Sequence, residues 1–319
     1  MGETRVSMSP FGMAILLSAI FVVAGCGIVY ELLIGTTSSY FLGNSVEQFS
    51  LTIGFFLFAM GIGSWISGLI QEKLLERLIA LEIWLGLVGG GSVPFLYAVY
   101  SEAGRFRYWM VVLIIAIGIL IGLEIPLLAR ILRGAGSLRS ILANVLTLDY
   151  LGALIAALIF PYLLLPSLGA LHTSVAVGLV NLAVGTALLV GFWSVLSLSS
   201  RRFLALQSLI AVLVLVGLLV KADPLLERWE SKLYADRIVF NEQSRYQRIV
   251  LTSWQDDLRL YLNGHLQFSA LDEDRYHEAL VHPAMELAAN RSRVLIIGGG
   301  DGLSAREVLK YEDVEHIDL

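Results

Sequence analysis

Two groups of residues in this chain have types and spacings that could do chemistry. The first is a glycine run that carries one acid, Gly298-Gly299-Gly300-Asp301-Gly302. Glycines there allow a tight turn and let a ligand approach the backbone closely. A carboxylate inside the turn repels a pyrophosphate and attracts a sulfonium or an amine. The second group is a set of lone acids inside long apolar runs: Glu31, Glu124 and Asp149. An ionisable group at membrane depth is costly and by default marks a function. All three are acids, and no Lys or Arg lies at comparable depth, so the set suits a cation. Acids that are interfacial, or protonated and hydrogen-bonded to Ser, Thr or backbone, would leave the same pattern, and both readings stand.

The elements that must position these residues come from two different materials. Of 319 residues, 57% are hydrophobic and 15% charged, against about 45–50% and about 25% in an ordinary soluble domain. Residues 1–220 hold 10 Lys/Arg and 9 Asp/Glu, whereas residues 221–319 hold 12 and 18. A spanning helix needs roughly 20 mostly apolar residues. Seven stretches qualify, at about 11–34, 49–70, 78–100, 108–132, 141–165, 171–196 and 203–220. Helices are expected because in lipid every backbone group must pair within its own segment. Small residues such as Gly61, Gly63, Gly86, Gly118 and Gly122 let such helices approach closely. Val23-Ala24-Gly25-Cys26 resembles a lipoprotein processing site, but apolar sequence continues past Cys26, so a plain spanning helix is the better reading. The net charge of −5 gives no support for nucleic-acid binding, and one cysteine excludes a disulfide framework or a Cys-cluster metal site.

Beyond Lys221 the pattern changes. Residues 225–235 read as a short amphipathic linker. Strand-like runs follow at 237–242, 246–254, 258–262 and 265–268, with Asn263-Gly264 between the last two. An Asn-Gly pair between alternating runs signals a hairpin, because both turn positions need positive φ. Residues 272–289 fit a helix with Asp272 as its cap. Val294 to Ile297 read as a buried parallel strand leading into the glycine run; helix is expected over 304–311 and a second strand over 314–319. This is the opening of a Rossmann-like, doubly wound α/β fold. The expected division is a seven-helix membrane domain at 1–221, a linker and small β-hairpin domain at 222–290, and the α/β part at 291–319.

From about residue 237 onward the chain resembles spermidine synthase (polyamine aminopropyltransferase). The resemblance rests on Tyr246-Gln247-Arg248-Ile249, on residues 260–267, on residues 272–278 with Tyr276-His277-Glu278, on His282-Pro283, and on residues 297–302. Asp301 follows His277 by 24 residues. The preceding half resembles the membrane-anchored branch of that family. The resemblance implies a class I methyltransferase-like fold and transfer of the aminopropyl group of decarboxylated S-adenosylmethionine to putrescine, giving spermidine and methylthioadenosine. It implies Gln247, Gly298 and Gly300 at the donor, and His277, Asp301, Tyr276 and Gln267 at the polyamine. Asp272 and Glu273 could join that cleft, Asp274 reads as a helix-start charge, and His265 and His282 as structural. Ala270 stands where the family often has Glu. No metal or cofactor is implied, since the donor is a co-substrate. The acid that holds the ribose and the general-base aspartate are expected beyond Leu319, so the chain is expected to be part of a longer protein and to lack turnover alone.

Two other functions fit the residues. One is a polyamine or cation transporter or sensor, with Glu31, Glu124 and Asp149 holding a proton, a metal ion or a polyamine; the other is an S-adenosylmethionine-dependent methyltransferase. The expected partners are a lipid bilayer and small-molecule substrates, with self-association left open. The location is the cell membrane, and its sidedness is in conflict. Arg5, Lys73, Arg77, Arg130, Arg133, Arg139, Arg201 and Arg202 lie on one side of the seven spans, and Arg105 and Arg107 on the other. That bias puts residues 222–319 outside, whereas the resemblance implies a cytoplasmic catalytic half.

Overall fold

The structure, a computed structural model, describes residues 10–102, 105–134, 137–234, 236–244 and 247–319. Arg5 and Tyr246, read above, lie outside these residues. The chain divides into two compact units, Met1–Leu233 and Tyr234–Leu319.

The first unit is helical. Its helices are α1 (Pro10–Leu42), α2 (Ser45–Ser67), α3 (Leu74–Gly90), α4 (Ser92–Glu102), α5 (Phe106–Ile131), α6 (Leu138–Ile159), α7 (Leu165–Gly191), α8 (Leu198–Val220) and α9 (Ala222–Leu233). Polar residues at the starts fix several ends: Asn44, Ser137 and Ser197 each accept a hydrogen bond from the backbone N–H three residues on. Six helical stretches are long and apolar enough to cross a membrane. One of them, Leu138–Gly191, has 54 residues. That is about 80 Å of helix, against a hydrocarbon core of about 30 Å. It contains a π-helical turn at Phe160–Leu164 and breaks at Gly169, where φ is 70° and ψ 172°. That conformation suits glycine. Helix thus forms in each of the seven apolar segments expected from the sequence, with α3 and α4 together making the third.

The helices associate as close pairs: α1 with α6, α2 with α5, and α3 with α7. Glycines set each approach. A Cβ added at Gly152 would overlap the Phe21 carbonyl, one at Gly63 the Ile119 carbonyl, and one at Gly178 would lie 2.6 Å from the Gly90 Cα. Several arginines are bound to the protein itself. Arg130 donates to the carbonyls of Ser67 (3.0 Å) and Ile70 (2.6 Å) at the end of α2. Arg201 donates to the Leu196 carbonyl (2.9 Å) and lies over the Trp193 ring. Arg107 pairs with Glu47 at 2.9 Å. The segment expected as a linker is the helix α9. Its Leu225, Leu226, Trp229 and Leu233 pack onto the helical core, with Trp229 beside Tyr97, because an amphipathic helix stabilises itself by burying its apolar stripe.

The second unit opens with a four-stranded antiparallel sheet in the order β1 (Arg237–Gln243), β2 (Arg248–Trp254), β3 (Asp257–Leu262), β4 (His265–Ser269). Asn263 and Gly264 turn β3 into β4 with φ of 50° and 81°, as the Asn-Gly pair predicts. Then follow α10 (Glu273–Leu287), β5 (Arg293–Leu295), α11 (Leu303–Val308) and β6 (His316–Asp318), with β5 and β6 parallel. Val294, Ile296 and Ile317 pack against Val281, Met285 and Val308 of the two helices. The buried strand expected at 294–297 is covered on that face only. Alternate residues of a strand point to opposite faces, and Ile297 is 93% exposed, with Leu295 open as well.

Candidate functional site

The glycine run leaves β5 and delivers α11. Three of its residues take left-handed conformations, Gly298 (φ 95°), Gly299 (φ 64°) and Gly302 (φ 77°), which side-chain-bearing residues rarely adopt. Gly298 and Gly300 have open space where a Cβ would be, so the backbone is accessible there. Asp301 is exposed, and its Oδ1 accepts from the Leu303 N–H at 3.0 Å. This bond holds the carboxylate at the head of α11.

His277 lies on α10 and is 3% exposed. Its Nδ1 is 2.7 Å from the Glu273 carbonyl. A carbonyl can only accept, so Nδ1 carries the proton, and a neutral ring then has Nε2 as its acceptor. The Tyr276 ring stands edge-on to the imidazole, while Tyr276 itself is exposed. Arg306 of α11 forks onto the Glu273 carboxylate at 2.7 and 2.9 Å and reaches Asp274 at 3.0 Å and Glu307 at 2.9 Å. Arg306 thus joins the helix bearing His277 to the helix that Asp301 heads. Its guanidinium holds the Glu273 carboxyl below the usual carboxylate range.

This ion pair has a testable pH dependence. Because the folded-state pKa of Glu273 is depressed, its stabilisation is complete above the ordinary carboxylate value. It is lost as pH falls through the folded value. Acidification below about pH 4 should therefore loosen the α10–α11 contact. Arg306→Ala should lower the melting temperature by several degrees at neutral pH and flatten its acid dependence, as read by circular dichroism over a pH series.

The other expected residues lie elsewhere in the unit. Gln247 precedes β2, its N–H bonded to Ser244 Oγ at 3.0 Å. Gln267 of β4 is exposed and bonds only the His265 carbonyl. No hydrogen bond among the described residues joins either glutamine to His277 or Asp301. Asp272 precedes α10 but makes no side-chain cap; its carboxylate lies 3.5 Å from Arg275. His282, read as structural, is bonded to the Tyr311 hydroxyl at 2.8 Å and lies 3.3 Å from Glu307. Asp257 escaped the sequence reading. It is buried and accepts from Ser269 Oγ (2.7 Å), Arg259 (2.6 Å) and the Leu271 N–H (3.3 Å). Those bonds, Ser269 first, hold its carboxyl below the usual range, and they fix the approach to α10. Glu278, His282 and Glu307 lie close enough to hold a metal ion. However, the Lys310 ammonium is already 2.5 Å from Glu307 and 3.8 Å from Glu278, so the cluster reads as an ion-pair network.

In the helical unit Glu124 is buried on α5, while Glu31 on α1 and Asp149 on α6 are half-buried. Glu124 and Asp149 are close enough to interact electrostatically. Glu82 of α3, which the sequence reading did not single out, also acts on Glu124 and is bonded to Asn181.

Residues 273–319 match the family model of the spermine/spermidine synthase domain. A polyamine aminopropyltransferase of Leptospira interrogans is 44% identical over 303 residues, which is 94% of this chain and 60% of that protein. Polyamine aminopropyltransferase 2 of Ralstonia nicotianae is 46% identical over 315 residues, covering 97% of this chain and 61% of its own. These matches make the chain similar to the polyamine aminopropyltransferases. A polyamine aminopropyltransferase of Oceanobacillus iheyensis is 40% identical, covering 93% and 58% respectively. The likeness to these polyamine aminopropyltransferases runs through both units, and the chain spans about three fifths of their length. No solved structure matches the chain.

Proposed function

We propose that the protein is a membrane-anchored polyamine aminopropyltransferase. It would take decarboxylated S-adenosylmethionine and putrescine to spermidine and methylthioadenosine, with Met1–Leu233 seated in the bilayer and Tyr234–Leu319 in a methyltransferase-like fold. The supporting observation is the 44–46% identity to relatives called polyamine aminopropyltransferase, which extends across both units. The geometry agrees. The bare backbone at Gly298 and Gly300 suits the nucleoside end of the donor, together with Gln247. Asp301 and the acceptor Nε2 of His277 suit an ammonium; the resemblance adds Tyr276 and Gln267 to the polyamine side.

In the reaction the amine nitrogen attacks the methylene beside the sulfonium. A C–N bond forms, the C–S bond breaks, and sulfur leaves as a neutral thioether. The amine proton passes to a general base, a role assigned to none of the described residues. The chain's own contribution is to gather two cationic substrates and align them. Asp301 offsets charge, and Nε2 of His277 accepts a hydrogen bond.

The test is turnover of the full-length protein with each donor. Decarboxylated S-adenosylmethionine should give spermidine and methylthioadenosine; methyl transfer from intact S-adenosylmethionine would refute the assignment. We place Tyr234–Leu319 in the cytoplasm, where the donor is made. A reporter fused after Tyr234 should be active only there; activity on the far side would mean that the loop arginines govern orientation.

A further inference from the structure

We propose that the centre of the helical unit is a second amine site, built from Glu82, Glu124, Asn181 and Tyr30 to hold an alkylammonium ion. Four helices each send one polar group into an apolar core. Glu82 of α3 is 1% exposed and Glu124 of α5 is 4% exposed. The Asn181 amide of α7 donates to the Glu82 carboxylate at 2.8 Å and to the Glu82 carbonyl at 3.0 Å. That leaves its Oδ1, an acceptor, fully buried and without a partner among the described residues. Tyr30 of α1 is fully buried, and its hydroxyl has no partner among the described residues. Its ring lies over Gly89, where an added Cβ would come within 2.5 Å of it.

The chemistry of this set is one-sided. It offers two carboxyls, an amide oxygen and a hydroxyl, and no Lys, Arg or His is among the described buried residues of Met1–Leu233. Acids and orphaned acceptors in a dry core are costly unless a hydrogen-bond-donating cation meets them. A bare metal ion fits less well, since it needs donor atoms gathered in a single shell. Among the described residues the one such gathering of His, Cys, Asp and Glu is Glu278, His282 and Glu307, in the other unit. An ammonium on an apolar chain suits separated carboxyls. Glu82 and Asn181 belong to the α3–α7 pair, Glu124 to α2–α5, and Tyr30 to α1–α6, so the site lies where three tight pairs meet. The choice of an amine among cations rests on the transferase reading; the site itself does not.

The experiment uses the full-length protein in lipid nanodiscs, with Asp301→Asn to silence the soluble site and radiolabelled putrescine as the probe. One equivalent should bind, and Glu82→Gln and Glu124→Gln should each weaken it at least about tenfold while keeping the elution volume and melting temperature of the parent. Should either fail to accumulate, Tyr30→Phe, which removes one oxygen atom, decides, with weaker binding expected. Undiminished putrescine binding in these variants, or equal protection by sodium ion at the same concentration, would overturn the site. Methylthioadenosine binding by the protein without Asp301→Asn reads the other unit. Its loss would count against the transferase reading while putrescine binding still judged this one.

Discussion

Asp301→Asn in the full-length protein should cut aminopropyl transfer about 10- to 150-fold, the equivalent of roughly 1.5–3 kcal/mol for a hydrogen bond to a charged group. Asparagine keeps the size of the side chain and the Oδ1 that accepts from the Leu303 N–H, so the start of α11 should survive. What it removes is the negative charge that the proposed function sets against a cationic substrate. The loss should therefore appear mainly in the KM for putrescine and in kcat, while methylthioadenosine, which carries no ammonium, should bind nearly as before. Unchanged kinetics would remove Asp301 from the amine site. A parallel loss of methylthioadenosine binding and of helix content would mean that its role is only to cap α11.

The second large effect is expected in the helical unit, and it comes as a contrast between neighbours. Gly61 and Gly63 lie two residues apart on α2. A Cβ at Gly61 meets open space, whereas one at Gly63 overlaps the Ile119 carbonyl of α5. Backbone cannot move aside as a side-chain tip can, so Gly63→Val must push the α2–α5 pair apart. Overpacking of this kind costs about 1–3 kcal/mol or more, a large fraction of typical folding stability. Gly63→Val should therefore sharply reduce folded protein in membranes, while Gly61→Val should accumulate as the parent does. Fluorescence-detected size exclusion of both variants checks this, and equal behaviour would show that the pair is not as tight as described.

That contrast also marks what the sequence could and could not disclose. Apolar length alone located every long helix, because the solvent dictates it. Alternation and Asn263-Gly264 located the β3–β4 hairpin, and the glycine run located the α11 turn. Both glycines of Gly61-Ile62-Gly63 looked alike, since spacing reveals a small-residue stripe but not which member faces a partner. Glu82 was not singled out in the sequence: its partner Asn181 lies 99 residues away, and only the α3–α7 packing brings the two together. Asp272 takes the N-cap position its type suggests, but its side chain makes no capping hydrogen bond, and its carboxylate lies 3.5 Å from Arg275. His277 was identified by resemblance. Its proton position follows from the Glu273 carbonyl, a backbone contact that no side-chain pattern could reveal.

Under the proposed membrane anchoring, the arginines of the helical unit bear on how it would face the bilayer. A charge count credits every loop arginine equally with holding its end of a span on the cytoplasmic side. Arg130 spends its guanidinium on the carbonyls that end α2, and Arg201 on the Leu196 carbonyl and the Trp193 ring. Donors committed in this way have fewer hydrogens left to offer phosphate headgroups. The electrostatic lock on topology is correspondingly weaker than a tally of basic letters implies.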